Sequence, residues 1–362
     1  MNSSTVRRAA IPAAAAVALG LGLSGCGAAN EQPANAAGSL SGTLNGAGSS
    51  AQQAAQEAWR AGFQTAHPGV TVNYDPVGSG SGVDQFLSGG VPFAGSDAYL
   101  TTEEVAKSKK VCGGQTAIEV PDYVSPIAVV YNLSGVQDLQ LDPRTLAGIF
   151  DGSITTWNDP AIKADNPGAN LPAQRITPVH RSDDSGTTEN FTDYLSQASQ
   201  GAWSNPAGET WPVKSGEGAQ GTSGVIQAVT NGAGTIGYAD ASQAGQLSTA
   251  KIKVGSQYVG PTADGAAKAL DASQPVSGRS AGDMALNLNR TTTAPGAYPL
   301  VLVSYLIGCP SYGSAHTGDL VGKYFSYVLS PQGQQAAAKT AGSAPLSSSF
   351  SKRAEAQVAK IQ

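Results

Sequence analysis

The sequence contains few of the residues that most often carry catalysis or bind metals. Its 362 residues include three cysteines and three histidines, His67, His180 and His316. The histidines are scattered and lack the spacing of metal ligands, so we expect no metal site and no cofactor. Serines occur in three glycine-rich loops, described below, but none of them lies in the Gly-x-Ser-x-Gly motif that holds the nucleophile of a hydrolase. We therefore expect that the protein is not an enzyme.

Charged residues are also scarce, at 13% of the chain, and the formal net charge is −5. Proteins that bind nucleic acid usually present a basic stripe, so this balance argues against nucleic acid as a partner. The four tryptophans are not interleaved with basic residues, which favours packing over base stacking. The chain as a whole offers no positive field to a small anion. Any such anion would have to be held by local dipoles and hydrogen bonds.

The N-terminus has the order of a targeting segment. The basic pair Arg7 and Arg8 precedes an apolar run at residues 11–23, which is too short for a comfortable membrane span. The run ends in Leu-Ser-Gly-Cys at residues 23–26, which is typical of a lipobox, the place where a lipoprotein signal peptide is cut and its cysteine is acylated. A plain secretory signal with a chance cysteine is the alternative.

From this pattern we expect a lipoprotein signal peptide over residues 1–25 and acylation of Cys26. Residues 26–41 are rich in Ala, Gly, Asn and Ser and have no apolar periodicity, so we expect a flexible tether there. The protein would be extracytoplasmic and anchored to the cell membrane through lipidated Cys26.

Once Cys26 carries lipid, the two other cysteines form an even pair. Cys112 and Cys309 would then lie in an oxidising compartment, where paired cysteines are usually bonded. We predict a disulfide between them. Two buried thiols are the alternative.

Glycine, in contrast, is abundant, at 45 residues, and it recurs with serine in three loops that each lead from a strand to a helix. The first and second loops, residues 45–50 and 77–82, follow β-branched or apolar runs. We expect helices from about residue 51, capped by Ser49 or Ser50, and from about residue 83. Helix starts leave N–H groups without helical partners, and the helix dipole favours an anion there.

The third loop, residues 179–188, reads Val-His-Arg-Ser-Asp-Asp-Ser-Gly-Thr-Thr and precedes a helical pattern over residues 189–198. Arg181 supplies a permanent cation with a fixed fork of donors. Ser185 and Thr187 add hydroxyl groups, and Gly186 lets the backbone approach a ligand closely. These are the parts of a site for a tetrahedral oxyanion. An ordinary helix capped by residue 184 or 185 beside an Arg–Asp pair is the alternative.

Together with Gly-Ser-Asp-Ala at residues 95–98 and the segments 146–158, 234–238 and 297–300, these loops resemble a known family. They are similar to the phosphate-binding protein of the bacterial high-affinity phosphate ABC transporter, the PstS family. The resemblance covers roughly residues 40–355 in order. It implies an α/β fold of the type II periplasmic binding protein, with two domains that close over the ligand.

The resemblance also implies the domain division. Domain I would comprise residues 40–121 plus 300–362, and domain II residues 122–299. The crossovers would fall near residues 120–122 and 298–300. Cys112 and Cys309 would then both lie in domain I, which supports their pairing.

Residue by residue, the resemblance implies a phosphate site. Its members would be Ser50, the N–H of Ala51, Ser79, Asp97, Arg181, Ser185, Gly186 and Thr187. Asp183 would orient the arginine. Two departures from the family matter. Family members often have Thr then Phe where Ser50 and Ala51 stand, and Ser81 could replace Ser79.

The function implied by the resemblance is capture of inorganic phosphate and its delivery to the permease and ATPase subunits of a phosphate ABC transporter. Asp97 would then accept the proton that phosphate carries and sulfate lacks, although an acid that only caps a turn is the alternative. Two other functions stay open. A secreted phosphate-ester hydrolase would need a metal or an activated nucleophile, and a binding protein for another oxyanion, such as sulfate, could use the same fold.

Overall fold

The computed structural model describes residues 40–280 and 282–362. The expected signal peptide, the expected lipidation site Cys26 and the expected tether up to residue 39 lie outside these residues. Strand begins at Ser41, so the end of the expected tether already belongs to the fold. Among the helices of the described ranges, none has both the length and the apolar character needed to cross a bilayer.

In the described ranges the chain forms fourteen strands, which alternate with helices in most of the chain. In chain order they are β1 (Ser41–Gly48), β2 (Gly69–Asp75), β3 (Phe93–Ser96), β4 (Ile118–Asn132), β5 (Gln140–Leu141), β6 (Thr177–Arg181), β7 (Glu217–Ala219), β8 (Thr235–Asp240), β9 (Ser248–Thr249), β10 (Lys251–Val254), β11 (Gln257–Val259), β12 (Gln274–Pro275), β13 (Leu286–Asn287) and β14 (Val301–Gly308).

The same ranges contain eleven α-helices and a short 3-10 turn at Ala241–Gln243. The helices are α1 (Gln53–Ala66), α2 (Ser79–Leu87), α3 (Thr102–Val111), α4 (Pro143–Asp151), α5 (Pro160–Asp165), α6 (Gly186–Ala198), α7 (Gly221–Asn231), α8 (Ala263–Asp271), α9 (Ala315–Leu329), α10 (Pro331–Ala341) and α11 (Ser348–Val358).

Burial along the strands explains where each one lies. β2 alternates buried and exposed residues, as expected at a sheet edge with one covered face. β14 is buried at all eight positions, and β4 is buried at every position except its last. Strands that are apolar on both faces belong in the middle of a covered sheet.

Nine strands form one mixed sheet in the order β2-β1-β3-β14-β4-β8-β6-β7, with β9 paired to β4. β1 runs parallel to β2 and β3, and β6 runs parallel to β7 and β8. We call β1–β3 the first strand set and β6–β8 the second strand set. The carboxyl ends of each set lie at a common edge, which is where α/β sheets form their ligand sites.

β4 and β14 join the two strand sets. Residues 118–126 of β4 pair with β14, and residues 127–132 pair with β8. The register shifts between Ser304 and Tyr305, which leaves Asp122 as an extra residue in β4 and makes a bulge there. The division into two domains at residues 121–122 and 299–300 stays a prediction.

Two helix starts differ from the sequence-based expectation. α1 begins at Gln53, and neither Ser49 nor Ser50 caps it, because the Ser49 hydroxyl accepts the N–H of Ala51 at 3.0 Å. α2 begins at Ser79, four residues before the expected start, so most of the second glycine-serine loop is its first turn. Its small residues let the first turn of α2 lie directly against the end of β1.

The third helix start is closer to expectation. α6 begins at Gly186, three residues before the expected start, and Ser185 is its N-cap, with its hydroxyl accepting the N–H of Thr188 at 3.2 Å. Asp184, the alternative cap, instead accepts a hydrogen bond from the Thr210 hydroxyl at 2.7 Å.

The predicted disulfide is confirmed. Cys112 follows the last residue of α3, Cys309 follows β14, and the two are bonded with their Cα atoms 5.0 Å apart. Both cysteines are buried. The bond fastens α3 to the central strand of the sheet.

Replacing both cysteines by alanine should lower the free energy of unfolding by about 2–5 kcal/mol, because the bond closes a long loop in the unfolded chain. Their separation is 197 residues. Denaturant unfolding monitored by tryptophan fluorescence measures the change. The parent protein in a reducing agent is the control, and its denaturant midpoint should equal that of the double variant. Equal midpoints for the variant and the oxidised parent would contradict the prediction.

Candidate functional site

The starts of four helices converge at the carboxyl ends of the two strand sets. The loop before α1 meets α7, where the Thr222 N–H donates to Ser50 Oγ at 3.0 Å and the two hydroxyls share a hydrogen bond of 2.9 Å. The start of α2 meets α6 at Ser79 and Gly186. Each helix start presents N–H groups that have no helical partner, so the convergence concentrates donors and positive dipole ends in one place.

Arg181 is the cation of this site. It ends β6, is 2% exposed, and forms an ion pair with Asp183, with Nε donating to Asp183 Oδ1 at 2.8 Å and Nη2 donating to Oδ2. Asp183 Oδ1 also accepts the N–H of Gly221, the first residue of α7, at 3.0 Å. Asp183 therefore fixes the guanidinium and the start of α7 together.

The ion pair also sets the protonation of Asp183. Burial alone would raise the pKa of this carboxyl, but the hydrogen bonds and the charge of Arg181, with the N–H of Gly221, outweigh it and lower the pKa. Asp183 therefore stays ionised at neutral pH.

Glycine is required at two points where the strand sets approach each other. Gly78 has φ 104°, and a Cβ there would lie 2.7 Å from both Asp183 Oδ2 and the Asp184 carbonyl. A Cβ at Gly186 would lie 2.8 Å from Ser79 Oγ and 2.9 Å from the Asp97 Cβ. Both spacings are shorter than van der Waals contact, so any side chain would hold the two strand sets apart.

Asp97 follows β3 and is held from several directions. Its Oδ2 accepts from the Thr187 hydroxyl at 2.8 Å, and its Oδ1 accepts from the Ser304 hydroxyl at 2.6 Å. Its backbone N–H donates to Ser79 Oγ at 3.1 Å, and its carbonyl accepts from Asn190 Nδ2 at 2.7 Å. Carboxylate, backbone N–H and carbonyl therefore all have a fixed direction.

Burial raises the pKa of Asp97, although hydroxyl groups of Ser304, Ser49 and Thr187 and the charge of Arg181 oppose the shift. Three hydroxyl donors are an environment that suits the ionised form, because hydroxyls can turn to donate to it. Asp97 is thus a buried acceptor beside the donors of four helix starts.

Two glutamates lie at the rim of the site. Burial and neighbouring carboxylates raise the pKa of Glu209 to about 8 and that of Glu189 to about 7. Glu209 also lies against the first turn of α2, near Gly80. Near neutral pH both side chains retain much of their protonation, which limits the negative charge around the helix starts.

An aromatic cluster contacts the backbone of Arg181. The Tyr238 hydroxyl accepts the Arg181 N–H at 3.2 Å and shares a 2.7 Å hydrogen bond with Thr188 Oγ1. Tyr238 stacks on Phe191 at 4.2 Å. His180 stacks on Trp211, with the two ring centroids 5.0 Å apart.

The structure brings all of the expected site residues into one network of contacts. Ser79 is buried and contacts Asp97, whereas Ser81 is half-buried inside α2, which favours Ser79 over Ser81. The N–H of Ala51 is the member that differs most from expectation, since it donates locally to Ser49. Which of these residues bind a ligand stays a prediction.

Sequence reasoning missed four neighbours of the site, namely Thr222, Gln243, Asn190 and Ser304. Thr222 could have been found from the sequence, because residues 218–224 read Gly-Ala-Gln-Gly-Thr-Ser-Gly, a fourth glycine-rich segment at the start of a helix. Gln243 Nε2 donates to the Ser50 carbonyl at 2.8 Å from a 3-10 turn that has no such pattern. Ser304 was visible only as a lone polar residue in the apolar strand β14.

Comparison with known proteins identifies the family. A family model described as a PBP superfamily domain matches residues 33–332. The chain is 41% identical over 273 residues to phosphate-binding protein PstS 3 of Mycobacterium tuberculosis, covering 74% of this chain and 73% of the relative. The chain belongs to the PstS family. Phosphate-binding protein PstS 2 of the same organism is 39% identical over 302 residues and matches 81% of this chain and 80% of its own.

Solved structures agree with the fold of PstS proteins. A high affinity periplasmic phosphate-binding protein, PfluDING, solved with bound phosphate, superposes with a TM-score of 0.71 at 24% identity. The match covers 87% of this chain and 93% of that chain. At this identity the likeness shows the fold, and the expected type II periplasmic binding protein fold is confirmed.

Removing the partner of Arg181 should be costly even without a ligand. Asp183→Ala should lower the free energy of unfolding by about 3–5 kcal/mol, because it leaves a buried guanidinium unpaired. Asp184→Ala is the matched control. Asp184 is exposed and accepts one hydrogen bond, from a hydroxyl group, so its replacement should change the free energy of unfolding by only about 0.5 kcal/mol. Similar denaturant midpoints for the two variants would contradict the assigned pairing.

Proposed function

We propose that this protein captures inorganic phosphate outside the cytoplasm and delivers it to the permease and ATPase subunits of an ABC transporter. The observation that carries the proposal is that the buried Asp97 carboxylate lies among the donors of four helix starts, near Arg181. The ligand set would be Ser50, Ala51, Ser79, Asp97, Arg181, Ser185, Gly186 and Thr187.

The donors suit a tetrahedral oxyanion. Helix starts offer N–H groups to oxygen atoms, and Arg181 adds a planar fork that its pairing with Asp183 keeps in one orientation. The chain has a formal net charge of −5, so the local groups must supply the attraction.

The acceptor selects among oxyanions. An ionised carboxylate can only accept hydrogen bonds, so it needs a ligand that carries a proton. Phosphate near neutral pH carries at least one proton, whereas sulfate carries none. Sulfate would place two acceptors against each other in a buried site, which costs about 1–3 kcal/mol or more. The site therefore favours phosphate over sulfate.

The relatives support the same function. The proteins that this chain matches at 39–41% identity are named phosphate-binding proteins. We propose that residues 40–121 plus 300–362 and residues 122–299 act as two domains that close over phosphate about β4 and β14. We also propose that residues 1–25 are removed and that acylated Cys26 anchors the protein to the cell membrane.

The contacts of the site disfavour a phosphate-ester hydrolase, the alternative that the sequence left open. The Ser50 and Ser79 hydroxyls accept N–H groups from Thr222 and Asp97, and the Ser185 hydroxyl caps α6. These bonds use the serines as fixed hydrogen-bonding groups. Turnover of a chromogenic phosphate ester by the purified protein would favour the hydrolase.

Isothermal titration calorimetry of the mature protein with phosphate, sulfate and arsenate tests the proposal. The parent should bind phosphate, and Arg181→Ala should weaken binding by about 2–5 kcal/mol, as expected for truncation of a buried charged partner. Arg181→Lys should not restore full affinity, because the fork of donors is lost. A parent without phosphate affinity, or an Arg181→Ala variant with the parent's affinity, would contradict the proposal.

Asp97→Asn tests selectivity. Asparagine can donate as well as accept, so sulfate should begin to compete with phosphate in the variant while it does not compete in the parent. Competition calorimetry, with phosphate titrated into protein that contains excess sulfate, measures the effect. An Asn variant that rejects sulfate as strongly as the parent would show that Asp97 only holds its turn.

A further inference from the structure

Arg290 is a buried arginine outside the proposed ligand set. It is 2% exposed and lies between β13 and β14. Its Nε donates to Asp193 Oδ2 at 2.8 Å, and its Nη1 donates to the carbonyls of Pro299 and Val301 at 3.1 and 2.6 Å. A cation that is removed from water and given this many partners is fixed in position.

The remaining contact of Arg290 leads to the site. Its Nη2 donates to Asn190 Oδ1 at 2.6 Å. Because a guanidinium can only donate, the side-chain oxygen of Asn190 must face it, and the amide nitrogen must face the opposite way. That nitrogen donates to the carbonyls of Asp97 and Gly186 at 2.7 and 2.8 Å.

The contacts of Asn190 cross between the two strand sets. Asp97 follows β3 of the first set, whereas Asn190 and Gly186 belong to α6, which follows β6 of the second set. Arg290 in turn holds the start of β14, the strand that supplies Ser304 to the Asp97 carboxylate at 2.6 Å. Asp97 is thus held at two points. Arg290 holds its carbonyl through Asn190, and Ser304 of β14 holds its carboxylate.

We propose that Arg290 is a positioning residue for phosphate capture, which acts through the amide of Asn190 to fix Asp97 against Gly186 across the two strand sets. This inference rests on the proposed function. It assigns to Arg290 no contact with the ligand. Without Arg290 the amide oxygen of Asn190 loses its charged donor, and only the hydrogen bonds to the two carbonyls still hold the amide in place.

The test is a double-mutant cycle in phosphate affinity, measured by calorimetry on the parent, Asn190→Leu, Arg290→Met and the double variant. Each single variant should bind phosphate about tenfold to a hundredfold more weakly, as expected when a buried acceptor loses its donor. The double variant should bind about as weakly as the weaker single variant, because both substitutions break the same chain of contacts.

Asn190→Asp separates positioning from folding. The carboxylate keeps the pair with Arg290, but its second oxygen faces two buried carbonyl acceptors, so the unfolding midpoint should fall by about as much as in Gln334→Met, the control variant. Its second oxygen cannot donate to Asp97 or Gly186, so phosphate affinity should fall by about tenfold or more. If Arg290→Met does not fold, the phosphate affinity of this variant alone tests whether the amide of Asn190 positions Asp97.

Gln334→Met is the matched control. Gln334 is also a buried amide that donates to two carbonyls, those of Asp122 and Val328 at 2.9 and 3.0 Å, and accepts one N–H, from Leu346 at 3.1 Å. Within the described ranges, none of its hydrogen bonds reaches a binding loop. Its replacement should lower the unfolding midpoint and leave phosphate affinity within about twofold of the parent.

The outcomes separate the two claims. A parent that does not bind phosphate overturns the proposed function and this inference with it. A parent that binds phosphate, together with folded Arg290→Met and Asn190→Asp variants of equal affinity, overturns the inference alone. Independent, multiplicative losses in the double variant would also overturn it.

Discussion

The proposed phosphate site is constrained by the cost of taking an anion out of water beside carboxylates that repel it. Arg181 is already paired with Asp183, and Asp97 adds a second carboxylate within the same set of contacts. The attraction must therefore come from N–H and O–H donors, including the donors of Arg181 that Asp183 leaves free, and not from net charge. Dipoles are effective only when they are buried and fixed, because a mobile donor pays for its ordering when the ligand arrives. Four helix starts meet this requirement, since the helices themselves hold their donors in place.

Fixing those donors determines much of the surrounding structure. The helix starts belong to two strand sets, so their relative position depends on β4 and β14 and on direct contacts between the sets. The close approach of Gly186 to Ser79, the pair of Ser50 with Thr222, and the contacts of Asn190 all serve this purpose. Small side chains at these points are a packing requirement of the site as much as a loop signature.

The sequence predicted the parts of the site that depend on local order. Arg181, Asp183 and the cap at Ser185 lie within five residues of one another, so their geometry follows from one strand–turn–helix unit. Partners far apart in the chain could not be derived in this way. Ser50 and Thr222 are 172 residues apart, and Asp97 and Ser304 are 207 apart. The sequence predicts the start of α2 too late, because glycine and serine favour loops locally. In the structure, packing against β1 holds those residues in a helix.

In the proposed site, discrimination between phosphate and sulfate would depend on more than the presence of a carboxylate. An aspartate that could rotate would turn away from an unprotonated ligand and reduce the cost of the mismatch. Thr187 and Ser304 donate to the two oxygens of Asp97 from different elements, α6 and β14, so rotation would break both hydrogen bonds. The backbone cannot move instead, because Ser79 and Asn190 hold the N–H and the carbonyl. In the proposed site, the penalty against a ligand without a proton would therefore be maintained in part by Ser304 and Asn190, which lie outside the proposed ligand set.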